Sequence, residues 1–343
     1  MKILVIGGAG FIGCNVVEYY AAKGDEVVVL DNLSRKGTYL NLSYLLEKFD
    51  NIRFVYGDIR NYYDIFPVFK GQGFDVVFHL AAQVAVTTSV TRPREDFEIN
   101  AIGTFNILEA MRETSSNAFL IFASTNKVYG EMLDVEVKET PQRYQYKSLP
   151  DGISEEYPLD FHSPYGCSKG AADQYVIDYS RIYGLNTVVF RQSCIYGYRQ
   201  FGIEDQGWVA WFTIAAAFDK KITIYGDGKQ IRDVLFIDDL VKAYDLAIEN
   251  LTHVRGKAYN IGGGHFQMSL NELLDFLEKF TGHKIQTVFS DWRPGDQKVF
   301  VSNNAKAKQE FGWRPQTAVE NGVKKLYEWV NDNKEMFKKV GII

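Results

Sequence analysis

A tyrosine and a lysine stand four positions apart in the run from Tyr165 to Lys169. On a helix, residues with this spacing lie on one face, one turn apart. An ammonium beside a phenol favours the phenolate, so the pKa of Tyr165 is expected to fall. Tyr165 can then accept the proton of an alcohol while a hydride leaves the neighbouring carbon. The spacing also occurs by chance, with a surface tyrosine and a solvated lysine.

Two hydroxyl side chains, Ser124 and Thr125, follow the apolar run Ala118–Ala123. The carboxyl ends of central strands in a parallel sheet face the crevice where ligands bind. Thr125 is therefore placed to share a substrate proton with Tyr165. The alternative is a β-branched strand residue whose hydroxyl is satisfied locally.

A glycine loop opens the chain's first strand-helix pair, with Gly7, Gly10 and Gly13 spaced in threes around Phe11 and Ile12. Glycine permits the tight turn, lets the backbone approach a pyrophosphate and lets helix and strand pack closely. The helix N-terminus adds free N–H groups and partial positive charge. The position after a first strand predicts a dinucleotide site.

Asp31 follows the second apolar run, where a carboxylate can accept both ribose hydroxyls of an adenosine and would repel a 2′-phosphate. This favours NAD over NADP, although Arg35 stands nearby and would favour the phosphate. Asp58, after the third run, is placed to accept a hydrogen bond from the adenine amino group; an ordinary turn aspartate is the alternative.

Apolar runs alternate with stretches of helical length through the first half of the chain, which predicts a doubly wound Rossmann-type parallel sheet of the α/β class. We expect residues 1–190 to form the dinucleotide-binding domain, with 131–160 as a long surface insertion. Residues 191–343 should form mainly a smaller, discontinuous α/β domain, with some segments returning to the first. The predicted strands are Lys2–Ile6, Glu26–Leu30, Ile52–Tyr56, Asp75–His79, Ala118–Ala123, Leu185–Phe190, Ile222–Tyr225 and Tyr259–Ile261. The predicted helices are Phe11–Lys23, Tyr39–Phe49, Tyr62–Lys70, Asp96–Glu113, Ala171–Tyr183, Ile237–Glu249, Ser269–Thr281 with its capping box, and Ala318–Lys338.

Composition limits the class of protein. The chain has 343 residues, 38 Lys plus Arg against 43 Asp plus Glu, and a formal net charge of -5, which disfavours nucleic acid as a partner. Its three cysteines are too few and too scattered for a disulfide framework or a zinc cluster, so we expect no metal and a reducing, cytoplasmic location. No apolar run approaches the ~18 residues that span a bilayer, and the N-terminal run does not have the pattern of a signal peptide.

These residues together resemble the extended short-chain dehydrogenase/reductase family, whose members are NAD-dependent nucleotide-sugar epimerases and dehydratases. The resemblance covers nearly the whole chain and includes His79–Gln83, Asn100 with Gly103-Thr104, and Arg232-Asp233. It implies NAD as the cofactor and Thr125, Tyr165 and Lys169 as the catalytic residues. The implied cofactor-binding residues are Gly7, Gly10, Phe11, Ile12, Gly13, Asp31, Asn32, Ser34, Arg35, Asp58, Ile59, Leu80, Ala81, Ala82, Gln83, Asn100, Tyr165 and Lys169.

Long, unusual runs resemble a narrower group in this family, the CDP-sugar 2-epimerases. These runs are Asn32–Gly37, Ser124–Gly130, Asp160–Tyr175, Arg199–Phe201 and Asp205–Val209. Dehydratases of the family carry an Asp-Glu pair just after the threonine, where this chain has Asn126 and Lys127. An amide cannot do that acid–base work at neutral pH, which disfavours 4,6-dehydration. The implied reaction inverts C2 of a CDP-linked hexose through a 2-keto sugar, with Lys127 contacting a sugar hydroxyl or the developing keto oxygen.

The resemblance also implies substrate-binding residues. Arg232 and Arg293 match positions used for the diphosphate, which suits a guanidinium fork, although each has an aspartate nearby in sequence. The other implied contacts are Gln83, Lys127, Gln192, Ser193, Arg199, Gln206 and Trp208. Cys194 stands where the broader family usually has asparagine and is expected to be a small filler, and His162 is expected to be structural as readily as catalytic.

Two alternatives stay open at this stage. A UDP-sugar 4-epimerase or decarboxylase would use the same fold, and a non-catalytic NAD-binding sensor would need no proton relay. The natural hexose is a 3,6-dideoxy sugar or one such as glucose. The helices containing Asn100–Glu113 and Tyr165–Tyr183 are the candidates for pairing copies into a homodimer or homotetramer.

Overall fold

The computed structural model describes residues 1–114, 116–293 and 296–343. In its first half the elements are β1 (Lys2–Ile6), α1 (Phe11–Ala22), β2 (Glu26–Asp31), α2 (Thr38–Lys48), β3 (Ile52–Tyr56), α3 (Tyr62–Phe69), β4 (Val76–His79), α4 (Val86–Thr91), α5 (Pro93–Phe97), α6 (Gly103–Glu113), β5 (Phe119–Thr125), β6 (Val137–Glu139), β7 (Tyr144–Tyr146) and α7 (Ser163–Tyr183). A π-helical turn, Glu98–Ile102, joins α5 to α6, and a 3₁₀ turn, Asn126–Tyr129, follows β5.

The second half holds β8 (Asn186–Gln192), β9 (Cys194–Tyr196), α8 (Trp208–Ala217), β10 (Ile222–Tyr225), β11 (Ile231–Phe236), α9 (Ile237–Glu249), α10 (Leu251–Val254), β12 (Lys257–Ile261), β13 (Gln267–Ser269), α11 (Leu270–Thr281), β14 (Thr287–Ser290), β15 (Val299–Phe300), α12 (Ala305–Phe311), α13 (Val319–Asp332) and α14 (Lys334–Lys339). Among the residues described, no helix is both long and apolar enough to cross a membrane.

The main sheet has seven parallel strands in the order β12-β8-β5-β4-β1-β2-β3, which confirms the predicted doubly wound α/β fold. Its central strands are buried on both faces because helices cover each side, so they read as continuous apolar runs. The strand order reverses between β1 and β4. A crevice for ligands opens at such a switch point, beyond the carboxyl ends of the strands.

The smaller half of the molecule consists of the elements after β8 other than β12, and it packs against this sheet. Strand β11 pairs with β9, β13 and β15, and β10 pairs with β14. Helix α11 begins at the predicted capping box, in which the Ser269 hydroxyl accepts from the Glu272 amide and the Glu272 carboxylate accepts from the Ser269 amide.

Several predicted boundaries were wrong. Helix α7 begins at Ser163 rather than Ala171, because Pro164 suits the first turn of a helix and the following residues, Gly166 and Ser168 included, stay helical against the sheet. This places Tyr165 and Lys169 in the first two turns. The predicted helix Ala318–Lys338 is two helices, which meet at Asn333.

The segment 131–160, predicted as a long surface insertion, contains the β6–β7 hairpin and buries its Tyr144 and Ile153 side chains. Ile153 joins a small apolar cluster with Tyr129 and Phe300, and Tyr144 joins another with Ile231 and Val299. The segment therefore packs against both halves of the chain.

A buried polar network ties these layers together. Asp173 on α7 and Arg191 on β8 form an ion pair with two contacts of 3.0 Å, and the Ser124 hydroxyl donates to Asp173 at 2.7 Å. The Arg191 guanidinium donates to the Tyr129 hydroxyl at 3.2 Å, which in turn donates to Asn260 at 2.7 Å. The network fixes α7 against the strand that carries Thr125.

Candidate active site

The glycine loop forms a cradle that admits no larger side chain at two positions. Gly7 has φ +83°, and a Cβ there would lie 2.6 Å from the Ala81 backbone nitrogen. A Cβ on Gly13 would overlap the Gly7 carbonyl oxygen. The absence of both side chains leaves the N-terminus of α1 open to a ligand's phosphates.

Asp31 stands at the end of β2 with its carboxylate buried at the rim of this cradle. It accepts hydrogen bonds from the Ala9 amide at 3.1 Å and the Leu33 amide at 2.8 Å, and burial raises its pKa. The carboxylate thereby shapes the glycine loop as well as the cleft. Predicted cofactor residues that line this cleft are Gly7, Gly10, Asp31, Asn32, Ser34, Arg35, Asp58, Ile59, Leu80, Ala81 and Ala82.

Asp58 lies in the same cleft, but its oxygens are already occupied by neighbours. Hydrogen bonds from the Arg60 guanidinium, the largest influence, and from Asn32 hold the pKa of this carboxyl at about 2. Asp58 is therefore ionised and anchors the loop that follows β3.

Gln83 and Asn100 are not among the residues that line the described clefts. The Asn100 amide exchanges two 3.0 Å hydrogen bonds with the Gln83 backbone, and the Gln83 side chain binds the Ala85 backbone. Their polar atoms are used inside the protein, and the expectation that these two residues contact the cofactor or substrate stays a prediction.

Thr125, Tyr165 and Lys169 come together in a second cleft of about 250 Å³. The strand end of β5 presents Thr125 and the first two turns of α7 present the other two. The Thr125 hydroxyl is 3.4 Å from the Asn126 side-chain oxygen, and as a hydrogen-bond donor to Tyr165 it would favour the phenolate. Other predicted residues that line this cleft are Phe11, Ile12, Leu80, Ala82, Gln192, Ser193, Gln206 and Trp208.

The expected fall in the pKa of Tyr165 does not occur. Burial raises it to about 12, although the Thr125 hydrogen bond and the Arg35 charge oppose the rise. The Lys169 ammonium instead donates to the Ala123 carbonyl at 2.6 Å and lies 4.2 Å from the centre of the Phe122 ring. Burial lowers the pKa of Lys169 to about 7. Desolvation thus drives both groups toward their neutral forms.

A third cavity, of about 280 Å³, adjoins the second and shares Cys194, Gln206, Gly207 and Trp208 with it. It brings together the predicted residues Lys127, Gln206, Trp208, Arg232 and Arg293. It is also lined by Thr87, Glu204, Asp205, Thr223, Tyr225 and Gln230, which sequence reasoning missed. Two of them offered a signal by position: Asp205 directly precedes Gln206, and Gln230 stands two residues before Arg232.

Three polar atoms on the walls of this third cavity are buried and have no hydrogen-bond partner among the residues that the structure describes. They are the hydroxyl of Thr87, the indole nitrogen of Trp208 and the amide oxygen of Gln230. Buried polar groups are otherwise nearly always satisfied, so these atoms fit a polar ligand.

Both predicted phosphate-binding arginines are paired with carboxylates. Arg232 forms a buried ion pair with Asp296. Arg293 contacts Asp205 at 3.1 Å and its guanidinium lies 3.9 Å from the centre of the Tyr225 ring. An anionic ligand in this cavity would compete with these carboxylates for the guanidinium groups. Pro294 and Gly295, from the same predicted motif, lie outside the described residues.

Lys127 lies at the junction of this cavity with the catalytic cleft. Its ammonium donates to the Gln297 side chain at 3.3 Å. Burial, followed by the nearby Arg232 charge, lowers its pKa to about 8. The simple alternative of a solvated surface lysine is wrong.

Arg199 lines a further cavity with Gly10, Lys36 and the predicted substrate residue Gln206. Its guanidinium stacks 3.4 Å from the centre of the Tyr44 ring. A contact between Arg199 and the substrate stays a prediction.

The remaining predicted side chains have internal partners. The Gln192 amide donates to Tyr244 at 2.5 Å, and the Ser193 hydroxyl donates to Asp233. Burial raises the pKa of the Cys194 thiol, so it is a neutral filler. His162 is exposed and contacts Glu131 at 2.9 Å.

Comparison with known proteins gives a consistent result. A family model described as GDP-mannose 4,6 dehydratase matches residues 4–326. CDP-paratose 2-epimerase of Salmonella typhi is 46% identical over 96% of this chain and 99% of its own length.

Solved structures agree with this match. UDP-glucose 4-epimerase of Thermotoga maritima with UDP-glucose is 34% identical, covers 97% of this chain and 100% of that one, and has a TM-score of 0.84. UDP-glucose 4-epimerase of Thermus thermophilus with NAD is 30% identical over 97% and 100% of the two chains, with a TM-score of 0.81. The chain therefore belongs to the nucleotide-sugar epimerase and dehydratase family of the extended short-chain dehydrogenases/reductases.

Proposed function

We propose that this protein is an NAD-dependent epimerase that inverts C2 of a CDP-linked hexose. The observation that carries the proposal is the 46% identity, over 96% of the chain, to a CDP-paratose 2-epimerase. The geometry is compatible with it, since a catalytic cleft adjoins a cavity with arginines for a diphosphate. Residues 1–190 would mainly bind the cofactor and residues 191–343 mainly the nucleotide sugar.

The first cleft fits NAD. The two glycines without room for a Cβ would hold the pyrophosphate against α1, and Asp31 would accept the adenosine ribose hydroxyls and disfavour a 2′-phosphate. When bound, NAD supplies a reversible hydride acceptor and a positive charge that favours a nearby anion.

The chain's own groups would move the proton. The Tyr165 phenolate would take the proton of the sugar C2 hydroxyl and return it after the other face of the ketone is reduced. The Thr125 hydroxyl, which lines the same cleft, would stabilise the phenolate by donating a hydrogen bond to it. A cationic Lys169, held by the Ala123 carbonyl, would add positive charge to the same cleft.

The residues beside Thr125 favour oxidation and re-reduction over loss of water. Asn126 and Lys127 provide no carboxylic acid to protonate a leaving hydroxyl. Lys127, at the junction of the two cavities, is suited to stabilise the developing keto oxygen. Tight anchoring of the diphosphate by Arg232 and Arg293 would let the keto sugar rotate and present its other face to the cofactor while the nucleotide stays bound.

We further propose a homo-oligomer in which α6 and α7 pair across a two-fold axis. These helices expose Phe105, Tyr175, Ile182 and Tyr183. Ile182→Asp should convert the oligomer to a monomer in analytical ultracentrifugation, while Tyr63→Ser, on the exposed face of α3, should not. A wild-type monomer at micromolar concentration would contradict the pairing.

The three unpaired cysteines support a reducing compartment such as the cytoplasm.

Product analysis tests the proposed reaction. Incubation with CDP-glucose or CDP-paratose should invert C2 alone, because the proposed site oxidises only the carbon whose hydroxyl reaches Tyr165. Proton NMR of the products distinguishes C2 from C4 inversion. Matched UDP-sugars serve as the comparison, and inversion of C4 alone, or decarboxylation of a UDP-sugar acid, would identify the alternative enzymes of the same fold.

Substitution of the proposed base should abolish most of the activity. Tyr165→Phe removes the proton acceptor and should lower kcat by about 10²–10⁴-fold, measured with saturating CDP-sugar. Tyr63→Phe, on an exposed ring, is the matched control and should retain full activity. Unchanged turnover in Tyr165→Phe would refute the proton relay.

A further inference from the structure

Asp96 on α5 is a fully buried carboxylate beneath the catalytic cleft. It accepts hydrogen bonds from the Gln83 amide at 2.7 Å, from the Asn100 amide at 3.2 Å and from the Ser168 hydroxyl. All three donors are neutral, and Asp96 takes part in none of the ion pairs found among residues 1–114, 116–293 and 296–343. Burial raises the pKa of Asp96, whereas the hydrogen bonds from Ser168 and Gln83 favour its charged form. A buried carboxylate without a paired cation is costly, so its presence here calls for a physical reason.

The donors of Asp96 connect α7, which carries the proposed base Tyr165, to the wall of the third cavity. Ser168 lies between Tyr165 and Lys169 in sequence, and its hydroxyl is also 3.1 Å from the Tyr165 carbonyl. Gln83 binds the Ala85 backbone through two hydrogen bonds of 2.6 and 2.9 Å. Helix α4 begins directly after Ala85, and its Thr87 lines the third cavity.

Asp96 also contributes to the charge balance of Lys169. The charged and titratable groups that face Lys169 are Asp96, Asp173 and the buried His79. Asp173 is already paired with Arg191 at 3.0 Å. Asp173 raises the pKa of Lys169 more than Asp96 does, but Asp96 adds to that rise without a cation of its own and also raises the pKa of Tyr165. Arg35 acts on Tyr165 in the opposite direction.

We propose that ionised Asp96 is a positioning residue that locks α7 to the loop before α4 and keeps the Lys169 ammonium charged during turnover. This role rests on the proposed function, since it acts on the residues assigned to proton transfer. It also explains why Gln83 and Asn100 turn inward, because each donates an amide to this carboxylate.

The pH profile of Asp96→Asn tests the electrostatic part of the proposal. Loss of the negative charge lowers the pKa of both Tyr165 and Lys169. Activity needs the phenolate and the ammonium, so the acid and alkaline limbs of kcat/KM should both move to lower pH, by about 1 pH unit. Limbs at their wild-type positions, with a uniform loss of rate, would show a merely structural role and overturn it.

Two further variants keep the test decisive. Glu95→Gln removes the adjacent, partly exposed carboxylate, which contacts Arg92 at 3.4 Å, and should leave the profile unchanged. Ser168→Ala keeps the charge of Asp96 but cuts its link to α7, so kcat should fall about 10- to 100-fold with both limbs in place. A wild-type kcat in Ser168→Ala would overturn the positioning role, even if Asp96→Asn failed to fold.

A measurement without substrate separates this proposal from the proposed function. Competitive labelling of the purified protein with trace acetic anhydride, read by mass spectrometry, gives a titration midpoint for Lys169. The midpoint should lie lower in Asp96→Asn than in the wild type. An equal midpoint would overturn the proposal whatever reaction the enzyme catalyses, whereas a lower midpoint in a protein that does not epimerise C2 would refute only the assigned reaction.

Discussion

Burial of a phenol beside an amine is the constraint on which the proposed chemistry depends. Removal from water raises the pKa of Tyr165 to about 12 and lowers that of Lys169 to about 7, so each group is pushed toward its uncharged form. Proton transfer needs a Tyr165 phenolate and a Lys169 ammonium, and the surrounding groups oppose the effect of desolvation on the two pKa values. Thr125 and Arg35 stabilise the phenolate, and buried carboxylates stabilise the ammonium. A water-filled cleft would reduce the cost but would also expose a ketone to solvent.

The parallel sheet supplies the place where these groups meet. Strands β1 and β5 end at the same edge, which puts the glycine cradle and Thr125 beside one crevice, and α7 crosses that edge with Tyr165 in its first turn. The smaller half adds a cavity with two arginines, each paired with a carboxylate until an anion competes for it. The first cleft beside the glycine loop, the catalytic cleft and the third cavity thus follow one another along the open edge of the sheet.

Local patterns in the sequence predicted the parts that depend on neighbouring residues. Continuous apolar runs predicted the central strands, and the glycine spacing predicted the cradle after β1. Contacts between distant segments could not be predicted in the same way. Arg199 stacks on Tyr44, the segment 131–160 forms a hairpin that buries Tyr144, and the Lys169 ammonium donates to the Ala123 carbonyl. Asp96 gave no signal, because an acidic residue between Glu95 and Glu98 has the appearance of a surface group until its three donors are known.

The fate of one hydrogen atom tests the account most directly. A CDP-linked sugar carrying deuterium at C2 should be converted in ordinary water to a C2-inverted product that keeps the deuterium at C2, because the hydride leaves and returns within the closed site. Mass spectrometry and NMR of the product measure this retention. Replacement of the C2 deuterium by solvent hydrogen would contradict the account and indicate inversion by deprotonation of carbon.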